Sequence, residues 1–294
     1  MKRRIWILLI VLCMVPGLLG AGGNAGGSSS PPSWAGRYGS GKFIGGTTVV
    51  VSIFADDMTS SWDFPLRGEQ KKLYDKIHER MGIGLAWLEE QTARYGVESH
   101  FIWDFDKYGG AGGLCYYTRF QSDLTSWSRE GYLEIWEYIN KNLDVKALMD
   151  TYKADNILFA IHLNAPNSQD YRSYAHTSNY LDLKPNQISY EGAVFVPYGR
   201  NRENTPAVYA HELLHCFGAQ DLYCSSDYVP QRYVDHLERA GAFDLMNRCY
   251  FSDYDKVTTA FSDVDAYFVG LIESCWDVRQ FGLGPCIFEY EYKN

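Results

Sequence analysis

The chain alternates between two hydrophobic periodicities. Thr47–Phe54 (TTVVVSIF), Asn156–Leu163 (NILFAIHL) and Gly192–Pro197 (GAVFVP) are short runs of β-branched and apolar residues, the pattern of buried strands. Arg67–Tyr95 instead sets Leu73, Ile77, Met81 and Leu85 at steps of four, which predicts a long helix weakened in its middle by Gly82 and Gly84. Leu133–Met149 reads as a second helix and His100–Phe105 as a further strand. Gly109–Gly113 lacks the spacing and following helix of a phosphate cradle and reads as a surface turn. No internal repeat is visible. Strands alternating with helices in this order predict an α/β or α+β fold.

A shorter helix is better punctuated. Thr205 offers a hydroxyl at the N-cap, Pro206 suits the first helical position, and Gly218 suits the left-handed stop after Ala207–Phe217. Inside it stands His211-Glu212-Leu213-Leu214-His215. Residues four apart share a helix face, so both imidazoles can address one metal ion, with Glu212 beside the first of them and placed to reach a water. A catalytic zinc takes three protein ligands. Asp221 follows Gly218 by three residues and is the nearest carboxylate able to swing back; His236 is the rival third ligand, at the end of a much longer excursion.

The full segment, H-E-L-L-H-C-F-G-A-Q-D, resembles the metzincin metalloproteases, with Asp221 in the place of their third histidine. That aspartate form is similar to the snapalysins and to immune-inhibitor-A-like secreted bacterial proteases, and Leu222-Tyr223 resembles a D-x-Y pattern among them. Gly241–Met246 (GAFDLM) resembles the stretch that forms their Met-turn, which implies Met246 as an apolar floor under the metal. Ser262–Ile272 stands where the family has its C-terminal helix. The resemblance implies an α+β, zincin-type catalytic domain over residues 43–294. Its upper half is α/β-like, with a twisted mixed sheet and long helices; the active-site helix and Met-turn follow. It also implies a substrate lying extended beside an edge strand, for which Tyr171–Tyr180 is the candidate. Astacin-like and serralysin-like members carry a tyrosine two residues after the methionine; Arg248 stands there in this chain, and Tyr250, out of register, is given no oxyanion role.

Composition sets the compartment and removes some functions. Lys2, Arg3 and Arg4 precede an apolar run from Ile5 to Val15 and small residues up to Ala25, the plan of a secretory signal over residues 1–25. The run is short for a permanent anchor, which is the lesser alternative. Leu12 before Cys13 is not the small residue that a lipobox needs. Residues 26–42 form a Gly/Ser/Pro-rich linker. A net charge of −9 without a basic run past the first four residues excludes a nucleic-acid partner. Export leaves six cysteines, an even number that permits disulfides; Cys275–Cys286 and Cys224–Cys249 are guesses at the pairing.

The expected protein is therefore a secreted, monomeric zinc endopeptidase acting on a protein or peptide substrate, without lasting membrane association. His211, His215 and Asp221 are its zinc ligands and Glu212 its general base. Calcium suits an acidic exported chain, but Asp104-Phe105-Asp106 is not a clear loop motif because Tyr108 takes a ligand position. His162, in an apolar strand, reads as a hydrogen-bonded core residue, and His78, His100, His176 and His236 as surface residues. Aromatic content of 16% keeps open a secreted glycan-binding module with aromatic platforms, and a zinc-binding but catalytically silent adhesion module is the other alternative. Neither accounts for Glu212.

Overall fold

The computed structural model describes residues 40–105, 112–165, 171–177, 190–197 and 203–284. The signal and nearly all of the linker, Cys286, and most of the glycine turn and the calcium-like loop lie outside them. Among the described residues no helix is long and apolar enough to cross a membrane.

The sheet is built on two long strands, β1 (Gly46–Asp56) and β4 (Asn156–Leu163), paired in parallel. Both are continuous apolar runs because both faces are covered, as parallel sheets require. The eleven residues of β1 accept two short strands end to end along its other edge: β2 (Ser99–Ile102) on its first four residues and β3 (Cys115–Arg119) on its last five. On the far side of β4 lies β6 (Gly192–Phe195), parallel to it, and then β5 (Tyr174–His176), antiparallel at the edge. The order is β2-β1-β4-β6-β5, with β3 beside β2. The sheet is thus mostly parallel, with one antiparallel edge strand falling inside Tyr171–Tyr180.

Side-chain alternation sorts the core into two halves. Val50 and Phe54 of β1, Leu158 and Ala160 of β4 and Phe195 of β6 face one side, where they meet α1 (Gly68–Ala93) and α4 (Pro206–His215). Val49, Val51, Ile53, Ile157, Phe159 and Ile161 face the other, against α2 (Arg129–Asn142) and α3 (Val145–Tyr152). The expected second long helix is these two helices. Leu143 turns extended, and the Asp144 carboxylate caps the new helix from the Ala147 N–H at 2.9 Å.

The first helix runs unbroken through Gly82 and Gly84, because at Gly84 the missing side chain serves a contact. A Cβ there would stand 2.5 Å from the Pro206 carbonyl oxygen, so glycine lets α1 lie directly on α4. The chain after α4 continues through α5 (Gln231–Ala240), the short α6 (Leu245–Arg248), α7 (Asp263–Phe268) and α8 (Trp276–Phe281) on the same side of the sheet. Ser262 and Asp265 form a reciprocal capping box at the start of α7, which is shorter than Ser262–Ile272.

Candidate metal centre

The helix α4 is buried from Pro206 to Leu214, with His215 partly exposed at its end, which fixes where its polar side chains can go. Its start differs in one respect from the sequence reading. The Thr205 hydroxyl does not cap the helix but donates to the Cys249 carbonyl at 3.1 Å, tying the helix to the segment after Met246. The last helical residue is His215. Two further residues wind on to Gly218, whose φ of +106° is open to glycine and strained for other residues. There the chain reverses, and the Leu222 N–H donates to the Met246 carbonyl at 2.9 Å.

That reversal brings Asp221 to the two histidines. Its Oδ1 stands 3.2 Å from His211 Nε2 and 3.3 Å from His215 Nε2, and the two Nε2 atoms are 3.1 Å apart. Each Nδ1 faces a backbone carbonyl, His211 that of Leu245 at 3.1 Å and His215 that of Ala219 at 2.7 Å. A carbonyl only accepts, so each Nδ1 carries the proton and each Nε2 presents a lone pair to the centre. Three lone-pair atoms therefore converge on one point. Asp221 Oδ1 is buried without a hydrogen-bond donor among the described residues. This is repulsive unless a cation or an extra proton sits among them. Donors about 2.0–2.1 Å from a zinc ion in tetrahedral array lie roughly 3.3 Å apart, which the three separations match within a few tenths of an ångström. The residues present fit zinc.

The electrostatics follow. Burial opposes protonation of His211, but Cys249 and the Asp221 carboxylate outweigh it and hold the imidazole pKa well above its ordinary range. Burial works against ionisation of Asp221 too, yet His215 and His211 draw its pKa well below the usual carboxylate range. Its second oxygen accepts from the Tyr223 hydroxyl at 2.9 Å, leaving Oδ1 for the centre. Glu212 is 3% exposed, and burial raises its pKa against the pull of both imidazoles. The Ala175 backbone, on the edge strand β5, lies near this carboxylate and favours its charged form.

Met246 is fully buried in the same apolar cluster as α4, and its N–H donates to the Asp244 carboxylate at 2.8 Å. Asp244 lies beside the wholly buried Asp265, whose pKa burial and the Asp244 charge push well up. The rival ligand His236, on α5, packs at a tilt against the Phe281 ring, with ring centroids 4.9 Å apart, and has no place in the cluster. Among the described residues, His211, His215 and Asp221 are the one group of three such side chains able to hold a metal ion.

Other sequence assignments divide. His162 is fully buried, 3.2 Å from the Ser52 hydroxyl, and burial lowers its pKa to about 3. His176 is not a surface residue: on β5 it is 1% exposed, against the Tyr132 ring, and burial again lowers its pKa to about 3. The guessed Cys224–Cys249 disulfide is not formed; Cys224 is an exposed thiol and Cys249 a buried one. Cys216 packs in the core, its thiol directed at the Glu212 carbonyl. Phe105 of the calcium-like segment is a core residue.

Two residues near Glu212 were not legible beforehand. Ala175 acts through its backbone, which carries no sequence signal. Tyr250, set aside on register, accepts the Ser173 N–H at 3.2 Å, and its buried phenol is close enough to Glu212 for that charge to add to burial in raising its pKa. Beyond the cluster a cavity of about 440 Å³ opens between β5 and the chain after Gly218; Trp127, Tyr174, Tyr223, Asp227 and Tyr228 line it together with His211, His215 and Asp221. The chain matches no protein-family model, no curated protein and no solved structure.

Proposed function

We propose that this protein is an exported zinc-dependent endopeptidase of the metzincin-like kind, with an aspartate as third ligand and residues 43–294 as its catalytic domain. The observation that carries the reading is the convergence of two Nε2 atoms and one carboxylate oxygen at 3.1–3.3 Å, with the buried carboxyl of Glu212 next in sequence to the first of them.

His211, His215 and Asp221 would hold the zinc ion. When bound, the ion supplies Lewis acidity toward a water and toward the scissile carbonyl. Glu212 takes the proton of the attacking water, keeps it on its carboxylate and passes it to the leaving amine. Burial suits this task, because a carboxylate with a raised pKa is a stronger base and holds the proton long enough to return it. The Ala175 backbone, on the strand beside which an extended peptide would lie, favours the charged form of that carboxylate. Leu245 and Ala219 fix the imidazole tautomers through their carbonyls, and Tyr223 holds Asp221 to one oxygen. Met246 closes the apolar side of the cluster.

The test is zinc content per chain together with casein cleavage, with and without a chelator. Glu212→Gln should keep stoichiometric zinc and lose turnover by at least about 100-fold, since only the proton carrier is removed. Equal cleavage by that variant ends the reading; zinc without cleavage in the unaltered protein favours a silent zinc-binding module.

A further inference from the structure

We infer that the cleft holds a subsite for a basic side chain of the substrate, lysine or arginine, and that Asp227 selects it; the inference rests on the peptidase reading above. Asp227 stands in the wall that follows the third ligand. The Ser226 N–H donates to the Val229 carbonyl at 2.8 Å, and the Ser226 hydroxyl accepts the N–H groups of Tyr228 and Val229 at 3.2 and 3.1 Å. This closes a tight turn with Asp227 exposed at its corner, lining the same cavity as the metal-binding cluster. The Tyr228 carbonyl accepts the Gly284 N–H at 2.9 Å, so the turn is anchored from below. A short carboxylate on a pinned turn is held near one place.

The charge of the cleft decides what that carboxylate prefers. No lysine or arginine lines the cavity among the described residues. The two imidazoles are neutral as ligands. A bound dication is matched by Asp221 and Glu212, which leaves Asp227 without a counter-charge in a chain that is already at −9. An acidic substrate side chain is repelled there, and an apolar one strips water from the carboxylate without replacing its hydrogen bonds. A basic side chain satisfies it. The same cavity presents the half-exposed face of Trp127 and the ring of Tyr228. Aromatic faces attract a cation and also cover the apolar stem that carries it, so lysine and arginine use both surfaces at once. An exposed ion pair together with an exposed cation–π contact corresponds to roughly ten-fold selection.

The experiment uses zinc-loaded protein and peptides identical except at one position, occupied in turn by arginine, tyrosine or glutamate and moved through the three residues on each side of the scissile bond. At one position arginine should exceed glutamate in kcat/KM by about ten-fold or more. Asp227→Asn should shrink that ratio to near unity and Asp227→Lys should reverse it. A ratio unchanged in Asp227→Lys, or no position at which the wild-type protein favours arginine, overturns the subsite. If the wild-type protein cleaves none of the peptides, the peptidase reading fails. Calorimetric titration of the arginine and glutamate peptides into the Glu212→Gln protein then decides the subsite by itself: tighter arginine binding that Asp227→Lys abolishes upholds it, and equal binding refutes it.

Discussion

Gly84 offers a direct test of how the fold holds His211 and His215 in place. A Cβ at this position would lie 2.5 Å from the Pro206 carbonyl oxygen and 3.4 Å from the Ala210 nitrogen, both backbone atoms of α4. Carbon and oxygen rest comfortably at about 3.3 Å, so Gly84→Ala must separate the two helices locally by roughly 0.8 Å. Neither obstacle is a side chain that can rotate away. Overpacking of this kind costs about 1–3 kcal/mol, against which alanine in a helix recovers at most about 1 kcal/mol. A net loss of about 1–2 kcal/mol is expected. Because the displaced helix carries His211, whose Nδ1 is held 3.1 Å from the Leu245 carbonyl, zinc affinity should fall with stability. The control is Gly82→Ala. Its Cβ would meet only the ring of Trp103, which is partly exposed and free to shift, so the loss should be clearly smaller. Urea unfolding in chelator gives the stability, and competition against a chromophoric chelator gives the affinity. If Gly84→Ala matches the wild type in both, the close approach of α1 to α4 is not what positions the ligands.

Three further outcomes are expected. Asp221→Ala should lower zinc affinity by orders of magnitude, Asp221→His should restore part of it, and His236→Ala should leave zinc content unchanged; stoichiometric zinc in Asp221→Ala at nanomolar metal would show the ligand set to be wrong. Asp265 keeps a proton in the folded state that the unfolded chain gives up above about pH 4, so stability declines as pH rises toward its raised pKa. Asp265→Asn bears no charge and can still accept the Ser262 N–H, so its melting temperature should gain on the wild type as pH rises above the ordinary carboxylate range, with a constant difference refuting the buried proton. His162 and His176 stay neutral when folded down to about pH 3 but take up protons when unfolded below about 6.5. Each therefore removes up to about 1.4 kcal/mol of stability per pH unit as pH falls through that window; His162→Gln should make the acid slope shallower, and an unchanged slope would refute the burial argument.

The features that local chemistry governs were legible in the chain. The continuous apolar runs of β1 and β4 could only be strands covered on both faces, and both were read from the sequence to within two residues of their ends. The segment from His211 to Asp221 spans eleven residues, and most of its geometry is set within them: one turn of helix brings His211 and His215 to one face, and Gly218 permits the reversal that returns Asp221. Nothing distant has to be known to predict that cluster.

What the sequence left open depends on pairing between distant segments. β3 and β5 are five and three residues long and owe their extension to partners on β1 and β6 far along the chain, so their periodicity is too brief to read, whereas β2 overlaps the strand expected at His100–Phe105. Gly84, which looked like a helix breaker in α1, packs that helix against one that begins more than a hundred residues later, and Gly82 makes room for the Trp103 ring. His176, polar and without a partner in sequence, is buried because its strand closes over α2. Around Glu212, Tyr250 and the Ala175 amide meet only once the sheet edge, α4 and the segment after Met246 are assembled, and a backbone amide leaves no mark in a sequence. The sequence by itself brought His211, His215 and Asp221 together beside Glu212, because that geometry is helical and local. Tertiary structure alone decided the lining of the cleft and the orientation of the base, because those depend on the contacts that folding creates.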